Sequence, residues 1–234
     1  MQFFKSLPTV LLLLTSALAA TTVDQTFTRI DKDKAMLLVV DHQLGLFQLV
    51  RDFSPDQFKN NILAHSALGN VFSLPTVLTT SAETGPNGPL PQEILDMHPG
   101  APLIKRNGEV NAWDNEEFRD AVRAANRTQI ILGGIVTEVC TAFLAMSLRE
   151  EGYEVFANTD ASGTFNERLA AEANDRMAKA GVTLMGNFAV AIDLMRDWRN
   201  TPGTPELLPY FDKYLTAYGY LARYHSAAVV NGTL

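Results

Sequence analysis

The sequence predicts an α/β fold, a three-layer sandwich in which a six-stranded, mostly parallel sheet carries helices on both faces. Three observations lead there. Short apolar runs alternate with longer stretches of helical periodicity, and those runs are continuous, as strands covered on both faces must be. Gly152 and Gly181 stand at the ends of helical stretches just before the next apolar run, where a residue free to adopt positive φ stops a helix.

The first strand is expected at 35–40, where Ala-Met-Leu-Leu-Val-Val is unbroken. Further strands are expected at 76–79, 102–104, 129–132, 153–156 and 182–184, with helices at 55–72, 115–125, 138–151, 167–180 and 187–198. Such alternation requires right-handed crossovers between parallel strands. Ligands then bind outside the carboxyl ends of the strands, so residues there bear most on function.

After Trp198 the pattern changes. A breaker cluster at 201–205 precedes a segment rich in aromatics, in which Tyr210, Tyr214 and Tyr218 recur every four residues. This predicts one C-terminal helix with an adhesive face, docked on its own core or on another subunit. The expected organisation is a signal peptide over 1–20, one α/β domain over 21–200 and a helical extension over 201–234.

The bulk composition narrows the function. A chain of 234 residues that is 47% hydrophobic buries one substantial core. A formal charge of −7 leaves no basic stripe, which excludes nucleic acid and anionic membrane as partners and favours a small molecule. Lys5, the apolar run 10–14 and small residues at 17–20 follow the secretory layout, and that run is shorter than the ~20 residues of a membrane span. The mature protein is therefore expected to be secreted and free of the membrane. Sequons at Asn126 and Asn231 agree with a glycosylating route. A single cysteine allows no internal disulfide, so Cys140 is either a buried spectator or a reactive group.

Three candidate groups fall at strand ends. Asp41 follows the first strand, where partial burial raises a carboxylate pKa and a neighbouring cation lowers it; its competing role is a helix cap. Lys105 and Arg106 close the third strand and offer such a cation, unless they belong to an ordinary surface loop. Cys140 follows the fourth strand with Thr137 as expected N-cap, so that first-turn N–H groups favour a thiolate and an adjoining oxyanion. The alternative is a cysteine serving as a small buried hydrophobe.

In this order, Asp41, the basic pair and Cys140 resemble the isochorismatase-like cysteine hydrolases, and within them the YcaC-type subgroup. The resemblance spans roughly residues 35–200 and rests on Val40-Asp41-His42-Gln43, the block 83–89, Asn111-Ala112-Trp113-Asp114-Asn115, the block 134–140 and the block 159–166. It implies that Cys140 attacks a carbonyl carbon while Asp41 takes the thiol proton and returns it to a leaving amine. The spacing to Asn-Ala-Trp in the subgroup selects Arg106 over Lys105 as the third catalytic residue. The resemblance also implies a cis peptide at Ile135-Val136, an oxyanion hole from the N–H groups of Val136 and Cys140, and a homo-oligomer.

Family members that bind a metal carry Asp and His near the second strand. Here that region reads Thr79-Thr80-Ser81-Ala82-Glu83-Thr84, so no catalytic metal and no cofactor are expected. Retention of Cys140 points to C–N hydrolysis rather than cleavage of a vinyl ether of the isochorismate type. A catalytically idle binding or assembly protein on the same fold is the rival of a different class, and a thiol redox role is disfavoured because no second cysteine resolves an oxidised Cys140. Phe47 and Trp113 are expected either to wall a substrate pocket or to belong to the core. His42 is expected to be structural, and Asp160, Thr164 and Asn166 to form a rim loop that caps the next helix.

Overall fold

A computed structural model describes residues 27–232 of the chain. The expected leader, and the last residue of the sequon at Asn231, lie outside them.

The six strands are β1 Ala35–Val40, β2 Thr76–Ser81, β3 Leu103–Arg106, β4 Gln129–Gly134, β5 Glu154–Asn158 and β6 Thr183–Met185. They form one sheet in the order β3-β2-β1-β4-β5-β6, with every neighbouring pair parallel. The chain winds outward from β1 to β3, then returns to lay β4 against β1. The switch point therefore falls between β1 and β4, where doubly wound sheets open a crevice.

Side-chain alternation along β1 builds both cores. Ala35, Leu37 and Val39 join one cluster with Phe58, Ile62, Val190 and Phe211, from α1 Pro55–Val71, α6 Asn187–Met195 and α7 Thr204–Tyr214. Met36, Leu38 and Val40 join the other with Phe118, Leu144 and Met177, from α3 Glu116–Ala124, α4 Ala142–Glu150 and α5 Glu167–Lys179. Helices cover both faces, as the continuous apolar strands require.

Local chemistry sets several helix boundaries. Ser54 accepts from the Gln57 N–H with Pro55 in the first turn, and Asn115 and Asn166 cap α3 and α5 in the same way. Gly152 and Gly181 stop their helices at φ 92° and 83°.

Three helical expectations need correction. The helix expected at 138–151 begins as a single π turn, Thr137–Thr141, before α4. The helix expected to reach Trp198 ends at Met195, because Arg196 turns to φ 68°. The single C-terminal helix is two, α7 and α8 Thr216–Val230, broken at Leu215. Gly219 allows the reversal, since a Cβ there would stand 2.7 Å from Asp212 Oδ1 and 2.9 Å from its Cα. Tyr210 and Tyr214 are buried on α7, while Tyr218 reaches the same cluster from α8 and stacks on Trp198 at 5.5 Å and 3°. A short helix, α2 Gln92–Met97, was not expected. Among the described residues no helix is long and apolar enough to cross a membrane.

Candidate active site

The switch point brings together the ends of β1, β3 and β4. Asp41 leaves β1 with φ 53°, a left-handed conformation that costs most L-residues roughly 1–2 kcal/mol and that aspartate tolerates better than most. The turn is held at both ends: the Asp41 N–H donates to the Thr79 carbonyl at 3.0 Å, and the Gln43 N–H to the Asp41 carbonyl at 2.7 Å. It aims the carboxylate across the top of the sheet.

Arg106 meets it there. Its Nη2 donates to both carboxylate oxygens of Asp41, and both side chains are fully buried. Nε donates to Thr79 Oγ1 at 3.0 Å, and Nη1 to the carbonyls of Glu109 and, at 3.3 Å, Val110. Lys105, one residue earlier, points to the opposite face of β3 as strand geometry demands, and pairs with Glu83 at 2.9 Å in solvent. The cation on Asp41 is therefore Arg106.

Cys140 sits in the π turn that follows β4. Close packing lets the turn approach Asp41: a Cβ on Gly134 would lie 2.7 Å from the Val40 carbonyl and 3.0 Å from Thr141 Oγ1. The thiol lies beside the Asp41 carboxylate, close enough for the two to influence each other's ionisation, and the Val136 N–H lies near the sulfur. The Ile135-Val136 peptide is cis.

Two expectations about this turn are corrected. Thr137 does not cap it: Val136 occupies the N-cap position, no side chain caps, and the buried Thr137 Oγ1 has no hydrogen-bond partner among the described residues. The helix start also does not favour a resting thiolate. Burial, followed by the neighbouring Asp41 charge, pushes the Cys140 thiol well above its ordinary value, against the weaker pull of Arg106 and the Val136 N–H. Burial raises Asp41 above the usual carboxylate range as well, while Arg106 draws it back. The resting pair is thus a neutral thiol beside a carboxylate of increased basicity, the arrangement general-base chemistry needs.

His42, buried beside this pair, faces the other way. Its Nε2 lies 2.8 Å from the Ala161 carbonyl, and the ring meets His65 and Phe58 edge-on. Burial lowers His42 to about 3 and His65 to about 4, so both are neutral imidazoles. His65 extends a buried polar chain through Asn158 to Asn187.

The two candidate pocket walls separate. Phe47 stays half-buried on the rim, edge-on to Phe58 at 5.8 Å. Trp113 is a core side chain, 8% exposed, packed against Phe118 and Tyr153. The turn Ala112–Asp114 buries the ring in the core cluster that includes Phe118 of α3 and Leu144 of α4. In the rim loop, Asn166 caps α5, Asp160 instead accepts from the Asn187 N–H at the start of α6, and Thr164 bonds Asp52 and Glu138.

Sequence reasoning missed two supports. Thr79 holds Arg106 with its hydroxyl and Asp41 with its carbonyl. Gln43 ties the β1 loop to β2, donating to the Ser81 carbonyl at 3.0 Å and accepting from the Ser81 N–H at 2.8 Å. Gln43 shares the motif Val40-Asp41-His42-Gln43 with Asp41, whereas nothing in an apolar strand marks Thr79. Among the described residues no group of three or more His, Cys, Asp or Glu side chains is placed to hold a metal ion.

Comparison with known proteins agrees with the fold. Residues 35–187 match the isochorismatase domain. The chain is 56% identical over 174 residues to the probable hydrolase YcaC of Escherichia coli K12, covering 74% of this chain and 84% of that protein. It superposes on the solved YcaC of Pseudomonas aeruginosa, described with hexane-2,5-diol and covalent acrylamide, with a TM-score of 0.83 at 50% identity, over 86% of this chain and 98% of that one. The solved Escherichia coli YcaC, described as an octameric hydrolase of unknown specificity, gives 0.83 at 51% identity, over 87% and 98%.

Proposed function

This chain belongs to the isochorismatase family of hydrolases, and from that premise we propose that it hydrolyses the C–N bond of a small, uncharged amide through a thioester on Cys140. The observation that carries the reading is the buried contact of the Cys140 thiol with an Asp41 carboxylate clamped by Arg106.

In the proposed reaction Asp41 takes the thiol proton as Sγ bonds to the carbonyl carbon, so no free thiolate has to accumulate. The carbonyl oxygen becomes an oxyanion facing the N–H groups of Val136 and Cys140. Its collapse breaks the C–N bond, and Asp41 returns the proton to the departing amine. Water then attacks the thioester with Asp41 again as base, releasing a carboxylic acid and restoring the thiol. Arg106 keeps Asp41 oriented and ionisable throughout.

The preference for an uncharged substrate has its own support. Every nitrogen of the Arg106 guanidinium is committed within the protein, and Lys105 is paired with Glu83. A carboxylate-bearing substrate of the isochorismate type would need one of these bonds to break. The covalent acrylamide in the Pseudomonas aeruginosa relative supports the presence of a reactive nucleophile in a protein of this type.

An ammonia-release screen over small primary amides, with intact-mass detection of an acyl adduct, tests the reading. Turnover lost in Cys140→Ser, with an adduct trapped on wild type, is the expected result. No turnover and no adduct would leave the idle binding protein as the better account.

We further propose that the protein is exported and assembles as a homo-oligomer. The leader layout of 1–20 and the exposed position of Asn126 support export, and the octameric relative supports assembly. An N-terminus that begins near residue 21 in protein recovered from the culture medium is the expected mark of export.

A further inference from the structure

The loop that follows β3 receives Arg106 and has little packing of its own to hold it in shape. Arg106 Nη1 donates to the backbone carbonyls of Glu109 and, at 3.3 Å, Val110. Yet Asn107, Gly108 and Val110 are exposed, and a Cβ on Gly108 would meet nothing within 4 Å. Among the described residues no backbone–backbone hydrogen bond reaches 107–110. A surface loop with neither burial nor a backbone ladder keeps one conformation only when side chains tie it down.

Glu109 supplies those ties. One of its carboxylate oxygens accepts from Asn115 Nδ2 at 3.0 Å, and the other from the Gly108 N–H at 3.2 Å. The Asn115 amide first, and then N–H groups of the loop itself, hold this carboxylate down at about 2, so it is ionised throughout the neutral range. The orientation of Asn115 is fixed as well: its Oδ1 caps α3 by accepting from the Phe118 N–H at 2.9 Å, which leaves Nδ2 to face Glu109. At the other end of the same block, Asn111 Nδ2 donates to Ser147 Oγ of α4 at 2.9 Å. The block 111–115 is thus anchored to α3 and α4, and Glu109 is the side chain through which it grips the loop.

We propose that Glu109 is a positioning residue of this site: gripped by Asn115, its carboxylate fixes the 107–110 loop so that the Glu109 and Val110 carbonyls keep Arg106 on Asp41. This rests on the reading of Asp41, Arg106 and Cys140 as the reacting groups. It also gives the block 111–115 a part in the site, although Trp113 within it is a core side chain. Without the Glu109 carboxylate the loop no longer presents its two carbonyls together, and the guanidinium loses the acceptors that hold Nη1.

The test uses the full chain and two readouts, the pH midpoint of Cys140 alkylation by iodoacetamide and the kinetics of amide hydrolysis. Glu109→Ala should move the alkylation midpoint up by at least half a pH unit, because Arg106 favours the thiolate and is no longer held in place. Deleting a negative charge would by itself move the midpoint down, so the direction separates positioning from simple electrostatics. Turnover should fall at least ten-fold in kcat, with KM within two-fold. Asn115→Asp keeps a good cap on α3 but sets carboxylate against carboxylate, and should shift the midpoint upward too. Adding Glu109→Gln to it turns the contact around, the introduced amide donating to the introduced carboxylate, and should restore at least half of that shift. Urea denaturation of each variant checks the fold.

An unchanged or lowered midpoint in Glu109→Ala would overturn the proposal, as would a double variant no closer to wild type than Asn115→Asp alone. Absence of amide turnover in the wild type would overturn the amidase reading and leave the alkylation midpoints to decide this one. A wild-type Cys140 that resists alkylation at every pH would reject the reacting site and the role of Glu109 with it.

Discussion

Arg106 holds Asp41 through a single nitrogen, Nη2, which donates to both carboxylate oxygens while Nε and Nη1 are bound to Thr79, Glu109 and Val110. The carboxylate is thereby oriented by a cation that is itself immobile. Neither group touches solvent, so each depends on the other for its charge to be tolerated.

That dependence predicts strong coupling between the two positions. Arg106→Met should cost about 3–5 kcal/mol in urea denaturation, because it leaves a buried carboxylate without its cation. Adding Asp41→Asn should recover part of the loss, since the amide no longer requires a counter-charge. Costs that simply add in the double variant would contradict the pairing.

Cys140 should react with iodoacetamide mainly at alkaline pH, above the ~8.5 of an unperturbed thiol, because burial and Asp41 oppose its ionisation. Asp41→Asn removes the opposing charge and leaves Arg106 to favour the thiolate. Labelling at a fixed neutral pH should therefore accelerate in this variant, while amide turnover falls at least a hundredfold for want of a base. Slower labelling in the variant would show that Asp41 does not hold the thiol neutral.

Acid should destabilise the fold through His42 and His65. Above their ordinary value of 6.5 both are neutral whether the chain is folded or not. As pH falls below 6.5 the unfolded chain binds protons that the folded chain refuses until about 4 for His65 and about 3 for His42, so stability drops across that window. Asp41, raised in the folded state, acts in the opposite sense and offsets part of the loss. The urea midpoint should thus decline from pH 6.5 to 4, with a shallower slope in His65→Gln. An identical slope in that variant would remove His65 from the account.

Thr79→Val keeps the shape of the side chain and deletes the hydroxyl that receives Arg106 Nε. One buried donor is left unpaired, at a cost of about 1–3 kcal/mol. Because Thr79 reaches the chemistry only through Arg106, turnover should fall with little change in KM. A rise in KM at constant kcat would place Thr79 against substrate instead.

The sheet was legible because each strand is a continuous apolar run, and helix stops such as Gly152 and Gly181 have a local cause. The convergence of Asp41, Arg106 and Cys140 was legible through their positions at strand ends. Their electrostatics were not. The Cys140 turn reads as a helix start, yet its desolvation depends on β1 and β4 packing against it, and that is a property of tertiary structure. Trp113 was ambiguous for a similar reason, because its surroundings come from α3, α4 and Tyr153 rather than from its own motif. The two C-terminal helices share one tyrosine spacing across a break, and only the contact of Gly219 with Asp212 reveals the reversal.

The ring of Tyr218 lies parallel to that of Trp198 across the junction between α8 and the body of the protein. The chain has only two tryptophans, and the other, Trp113, is enclosed in the core. Trp198, 38% exposed, therefore supplies an intrinsic optical signal for the seating of α8. Its emission should register movement of that helix in the unlabelled protein, with Trp113 as a constant background.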